Sequence, residues 1–221
     1  PGQTGSTSFT YTIKDGDGDV STATVTINLL TDSVPTVSVT DTTVNEDGLP
    51  ARGLEAAGSA AGSNSHVGTG TFTIGTGGDD IATLVIDTID VTNGGSVTGV
   101  YGTLVVSGNP TDGYSWVYTL TDNTTDHTDD TTTGTAEGIF DDFAVVVTDS
   151  DGDPADTTLK IDIRDDGPTA VADTTSTAED TAVTYNVISN GDGTSDTQGA
   201  DTPATLVAAA GDTTAAQDLN K

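Results

Sequence analysis

Phe9-Thr-Tyr-Thr-Ile-Lys-Asp-Gly-Asp-Gly-Asp19, running on into Ser21-Thr-Ala-Thr-Val-Thr-Ile27, joins two alternating apolar runs through an acidic turn. The pattern returns as Phe143-Ala-Val-Val-Val-Thr-Asp-Ser-Asp-Gly-Asp153, followed by Asp156-Thr-Thr-Leu-Lys-Ile161. Phe9 and Phe143 lie 134 positions apart, and the blocks align without a gap through Asp32 and Asp166. Each is followed by a proline and a second acidic pair: Pro35 with Glu46-Asp47, then Pro168 with Glu179-Asp180. Alternation with period two around an Asp-Gly turn predicts a β-hairpin, because successive strand side chains point to opposite faces. A repeat this long predicts whole domains in tandem rather than a solenoid of small units.

Working outward, residues 1–33 read as the last two strands of a preceding domain, about 8–13 and 21–29, and 34–167 as one full repeat. Its predicted strands are 36–40, 70–74, 81–91, 96–106, 114–120, 141–148 and 157–163, separated by Gly, Asn, Asp and Pro turns. Residues 168–221 read as the opening of another repeat, with a strand near 181–188. Short strands, dense turns and no helical period predict an all-β chain of tandem immunoglobulin-like antiparallel sandwiches. A two-stranded hairpin is marginal alone. Segments 168–221 and 1–33 together number 87 residues, close to the roughly 100 of one such sandwich. The expected partner is therefore a neighbouring copy, its head completed by this tail in a covalent tandem array or by strand donation.

Composition narrows the function. There are 35 acidic residues against 5 basic ones, a net charge of −30, which excludes nucleic acid as a natural partner. Anionic membrane surfaces are disfavoured for the same reason, and no apolar run is long enough to predict membrane insertion. The absence of cysteine removes disulfides and thiol ligands, and the absence of methionine suggests a fragment of a longer polypeptide. Only 33% of residues are hydrophobic, so the cores are thin and unneutralised carboxylates would oppose compaction.

The clustered carboxylates point to a hard cation, calcium above all. Asp15, Asp17 and Asp19 occupy one tight turn and Asp149, Asp151 and Asp153 another, with Gly18 and Gly152 open to backbone conformations closed to other residues. Neither is an EF-hand loop, which needs Glu at its twelfth position where this chain has Thr26 and Lys160. Alone, either turn reads equally as a solvated hairpin tip. The repeated acidic linkers beside the turns favour calcium. Asp32, Glu46, Asp47, Asp165, Asp166, Glu179 and Asp180 complete the candidate ligands.

Several segments resemble a known family. Pro1 through Asp19 resembles the closing half of the VCBS and cadherin-like repeats of giant type I-secreted bacterial RTX adhesins. Tyr101-Gly-Thr-Leu-Val-Val, Gly113-Tyr-Ser-Trp-Val-Tyr-Thr-Leu-Thr-Asp122 and Asp149 through Thr169 resemble related repeats of biofilm proteins. Ala172-Asp-Thr-Thr-Ser-Thr-Ala-Glu-Asp-Thr181 looks like the family's repeat opening. The resemblance implies calcium-rigidified extender domains in a long extracellular protein that holds bacteria to surfaces or to one another. Chain direction then distributes the ligands. A last strand that ends at the C-terminal linker starts at the opposite pole, so Asp149, Asp151 and Asp153 should face the first linker and Asp32. Glu46 and Asp47 should meet Asp165 and Asp166, an arrangement similar to cadherin junctions.

Other readings are weaker. His66 and His127 lie in polar loops without a second histidine nearby, so solvated loop residues are expected rather than zinc ligands. Tyr114, Trp116, Tyr118 and Leu120 alternate along one strand and read as core rather than a sugar platform. Asp79-Asp80 and Asp141-Asp142 read as calcium ligands or plain surface charge. No catalytic triad motif is visible, and no enzyme is expected. The alternative to a spacer is an adhesin module gripping a sugar or peptide, with 50–70 as its one atypical stretch.

Overall fold

The first hairpin forms as its alternation dictates, in a computed structural model that describes residues 5–29, 32–127, 138–189 and 195–207. Strands β1 (Gly5–Lys14) and β2 (Val20–Leu29) pair antiparallel, with Phe9 opposite Val25 and Tyr11 opposite Ala23. Phe9, Tyr11, Ile13, Ala23, Val25, Ile27 and Leu29 thereby share one face, and threonines and serines the other. The hairpin is a separate two-stranded sheet, and nearly every residue in it is exposed.

The middle segment supplies ten strands: β3 (Thr36–Ser38), β4 (Thr42–Asn45), β5 (Val67–Gly75), β6 (Ile81–Ile86), β7 (Ile89–Asp90), β8 (Gly95–Thr98), β9 (Gly102–Asn109), β10 (Gly113–Leu120), β11 (Phe140–Asp149) and β12 (Pro154–Arg164). They form two five-stranded sheets, ordered β3-β5-β10-β9-β8 and β4-β12-β11-β6-β7. Inward residues of both sheets meet in one core: Phe72, Leu104, Trp116 and Tyr118 from the first, Leu84, Ile86, Phe143, Val145, Leu159 and Ile161 from the second. Tyr118 and Phe143 touch edge-to-face across it, with ring centroids 6.0 Å apart. Trp116 packs closely on β5 because residue 70 is glycine; a Cβ there would strike the indole.

The architecture is all-β, with four differences from the predicted elements. The β4–β12 pair is parallel, the one departure from antiparallel pairing among the described ladders, and β4 itself was not foreseen. The run 81–91 is broken after Ile86 by Asp87, at φ 54°, which turns the chain into β7. The run 96–106 is a hairpin rather than one strand, because Asp141 gathers the amides of the turn between β8 and β9. No strand forms near 181–188 among the described residues. Residues 195–203 instead fold back on the end of the sandwich, where Ala200 is buried and donates its amide to the Asp166 carbonyl.

Candidate metal centres

The two Asp-Gly tips are built alike. In β1–β2, Asp15 Oδ1 accepts the amides of Gly18 at 3.0 Å and Asp19 at 2.8 Å. In β11–β12, Asp149 Oδ1 accepts those of Gly152 at 3.1 Å and Asp153 at 2.8 Å. Gly18 and Gly152 sit at φ 113° and 104°, so each turn needs its glycine. Asp15, Asp17 and Asp19 converge on the first tip, and Asp149, Asp151 and Asp153 on the second, with ligand atoms within 4.8 Å of one another. The Asp17 side chain, followed by the turn amides, holds the Asp15 carboxyl below its usual value.

Burial separates the tips. Asp15 is exposed, whereas Asp149 is 1% exposed and its Oδ2 is buried with no hydrogen-bond partner. Burying such an oxygen without a partner is costly, and a bound cation would satisfy it. Asp151, at the same tip, also converges with Asp32 of the entering linker and with Asp79. The linker is seated there by Ser33, whose hydroxyl donates to Asp79 Oδ2 at 2.6 Å and to the Thr76 carbonyl at 3.0 Å. Gly77 makes room for it: at φ 69°, a Cβ on this residue would strike Ser33. The oxygen-only donor set suits calcium. Asp32 does meet Asp151, as chain direction required; Asp79 completes the group and was left undecided by sequence because its partners are far along the chain.

At the other pole, a single 3₁₀ turn (Glu46–Gly48) follows β4 and buries Glu46 completely. Glu46 Oε1 accepts the Thr124 amide at 2.7 Å and lies 3.2 Å from His127 Nε2; Oε2 is buried without a hydrogen-bond partner. Asp165 from the exit linker brings a carboxylate into the same group. Burial, then the charges of Asp201 and Asp165, pushes the Glu46 carboxyl up to about 8, against the Thr124 amide and Arg52. Glu46 and Asp165 thus meet as expected, but His127 is no solvated loop residue: its side chain is 4% exposed. The other expected ligands are engaged elsewhere. Asp47 accepts the Ser65 hydroxyl, and Asp166 accepts both the amide and the hydroxyl of Ser59. Glu179 and Asp180 are exposed and join none of the groups found among the described residues.

Asp141, left undecided from sequence, is a structural knot. It is buried, accepts the amides of Val100, Tyr101 and Gly102, and takes the Tyr118 hydroxyl at 2.6 Å. Burial, followed by Asp141 itself, raises the Tyr118 hydroxyl far above its ordinary value. Tyr114, Trp116, Tyr118 and Leu120 are all core. A cavity of about 550 Å³ between Pro168 and Val207 has no aromatic side chain in its lining.

A family model described as a bacterial Ig domain matches residues 1–28, a stretch that takes in most of the β1–β2 hairpin. No curated protein matches the chain. The match is to a bacterial immunoglobulin-like domain, and the two-sheet architecture of the middle segment is consistent with that kind of fold.

Proposed function

We propose that this chain is a calcium-rigidified structural extender of an extracellular bacterial adhesin or surface filament, of the VCBS and cadherin-like kind. The observation that carries the reading is the convergence of Asp151, Asp79 and the linker residue Asp32. A cation shared among them ties the strap between two domains to the tip of the next sandwich, so the joint stiffens only when the ion is bound. Asp149 and Asp153 supply further oxygens at the same tip, and Asp15, Asp17 and Asp19 repeat the arrangement one domain earlier. Calcium supplies charge neutralisation and multidentate oxygen coordination; the chain supplies the preformed turn. With 35 acidic residues against 5 basic ones, folding outside the cell at millimolar calcium is favoured, and the chain stays loose at low calcium.

The same proposal covers assembly. Residues 168–221 of one copy complete the β1–β2 hairpin of the next, head to tail, through a covalent tandem array or strand complementation. Supporting it are the uncovered Phe9, Tyr11 and Ile13 on one side and the exposed Val183 and Val187 on the other. Deleting residues 1–33 is expected to abolish concentration-dependent association in sedimentation velocity; unchanged association contradicts this part alone.

For the calcium reading the test is calorimetric. Calcium added to the EDTA-treated chain should raise the melting temperature by many degrees, and Asp151→Asn should remove a large part of that rise. A melting curve indifferent to calcium would overturn the reading.

A further inference from the structure

The pole opposite Asp151 differs in donor chemistry. We propose that Glu46, His127 and Asp165 form a site for a zinc-class divalent cation, a function that goes beyond the calcium reading and stands or falls apart from it. The three side chains come from three elements: the 3₁₀ turn after β4, the loop after β10 and the linker after β12. All are withdrawn from water, with Glu46 0%, the His127 side chain 4% and Asp165 6% exposed. Their ligand atoms lie within 4.8 Å of one another. Independently of that clustering, Glu46 Oε2 is fully buried without a hydrogen-bond partner, a costly state that a bound cation would relieve.

An imidazole nitrogen decides the class of ion. Calcium takes oxygen ligands almost exclusively, whereas zinc binds imidazole and carboxylate together at about 2.0–2.2 Å. Two donors at that radius around a tetrahedral ion are about 3.3 Å apart by geometry, and Glu46 Oε1 and His127 Nε2 are 3.2 Å apart. In the ion-free chain that spacing is a hydrogen bond, and the cation replaces the proton between them. Asp165 is the third protein donor, and water takes the fourth position. Asp201 adds negative charge to the same region. Arg52, whose charge acts on Glu46, is spent on Asp122, Glu55, Asn123 and the Pro50 carbonyl. The bound ion would tie Asp165 of the exit linker and His127 to Glu46 at the start of the sandwich.

The test titrates the full chain with Co²⁺, a spectroscopic stand-in for zinc, in saturating calcium to occupy the oxygen-only carboxylates. The expected result is one equivalent of Co²⁺ with the intense visible bands of a tetrahedral site, displaced by Zn²⁺. His127→Ala should weaken it by on the order of a hundredfold or more, since losing even an outer-shell partner costs about 10–100-fold. His66→Ala and Asp151→Asn should leave it unchanged. Should His127→Ala fail to fold, the imidazole resonances of the unaltered chain decide: only those of His127 shift at one equivalent of Zn²⁺. Cobalt bands indifferent to His127→Ala, or His127 resonances unmoved by Zn²⁺, overturn the proposal. The calcium-dependent melting shift is read separately through Asp151→Asn, so failure of one reading does not carry the other with it.

Discussion

The hairpins β1–β2 and β11–β12 are the same device in two surroundings. Both have the same register: Phe9 faces Val25 as Phe143 faces Leu159, and each tip is closed by an aspartate accepting two turn amides. Phe9 is 55% exposed, while Phe143 is fully buried against the facing sheet. The difference teaches that local sequence fixes the hairpin and its turn, whereas burial comes only from the second sheet. It also shows what burial does to an acidic turn. Asp149 and Asp15 make the same bonds, yet covering the tip leaves Asp149 Oδ2 dry and unpartnered.

The sharpest way to break the comparison is to cut the same residue from both copies. Phe143→Ala should destabilise the sandwich by about 3–5 kcal/mol in urea unfolding followed by Trp116 fluorescence. Phe9→Ala should leave that transition within about 0.5 kcal/mol. Next in size is Asp141→Ala, expected to cost about 3 kcal/mol because it strips a charged acceptor from three amides and the Tyr118 hydroxyl at once. In calcium, Asp149→Asn should cost about 1–3 kcal/mol. Asp15→Asn should not move the sandwich transition at all.

A further test concerns pH and the other pole. Glu46 is raised from 4.5 to about 8 in the folded chain, so in EDTA the folded state holds a proton that the unfolded state has lost. Stability is then fully present below about 4.5 and falls as pH rises toward 8, by at most about 1.4 kcal/mol per pH unit. Glu46→Gln should flatten that slope, read from urea midpoints between pH 5 and 8. An equal slope in the variant assigns it to other groups.

What sequence could show follows from how far each determinant lies along the chain. The hairpins, the core alternation of β10 and the meeting of Asp32 with Asp151 rest on local periodicity and chain direction, and were legible. The β8–β9 turn was not, because the acceptor that folds it, Asp141, lies about forty positions away. Nor was the role of His127, whose only sequence signal is a polar loop; its partner Glu46 is 81 positions distant. The strand expected near 181–188 rested on its apolar alternation, which no facing sheet covers among the described residues, and Val183 and Val187 stay exposed.

The central claim is that a cation bound by Asp32, Asp79 and Asp151 stiffens the joint between hairpin and sandwich. Small-angle X-ray scattering of the full chain, with EDTA and then with millimolar calcium, tests it most directly. The account predicts a loosely distributed particle in EDTA that becomes a single rigid form in calcium, with Asp151→Asn remaining loose in both. Identical scattering in EDTA and calcium, or a calcium response untouched by Asp151→Asn, would contradict it.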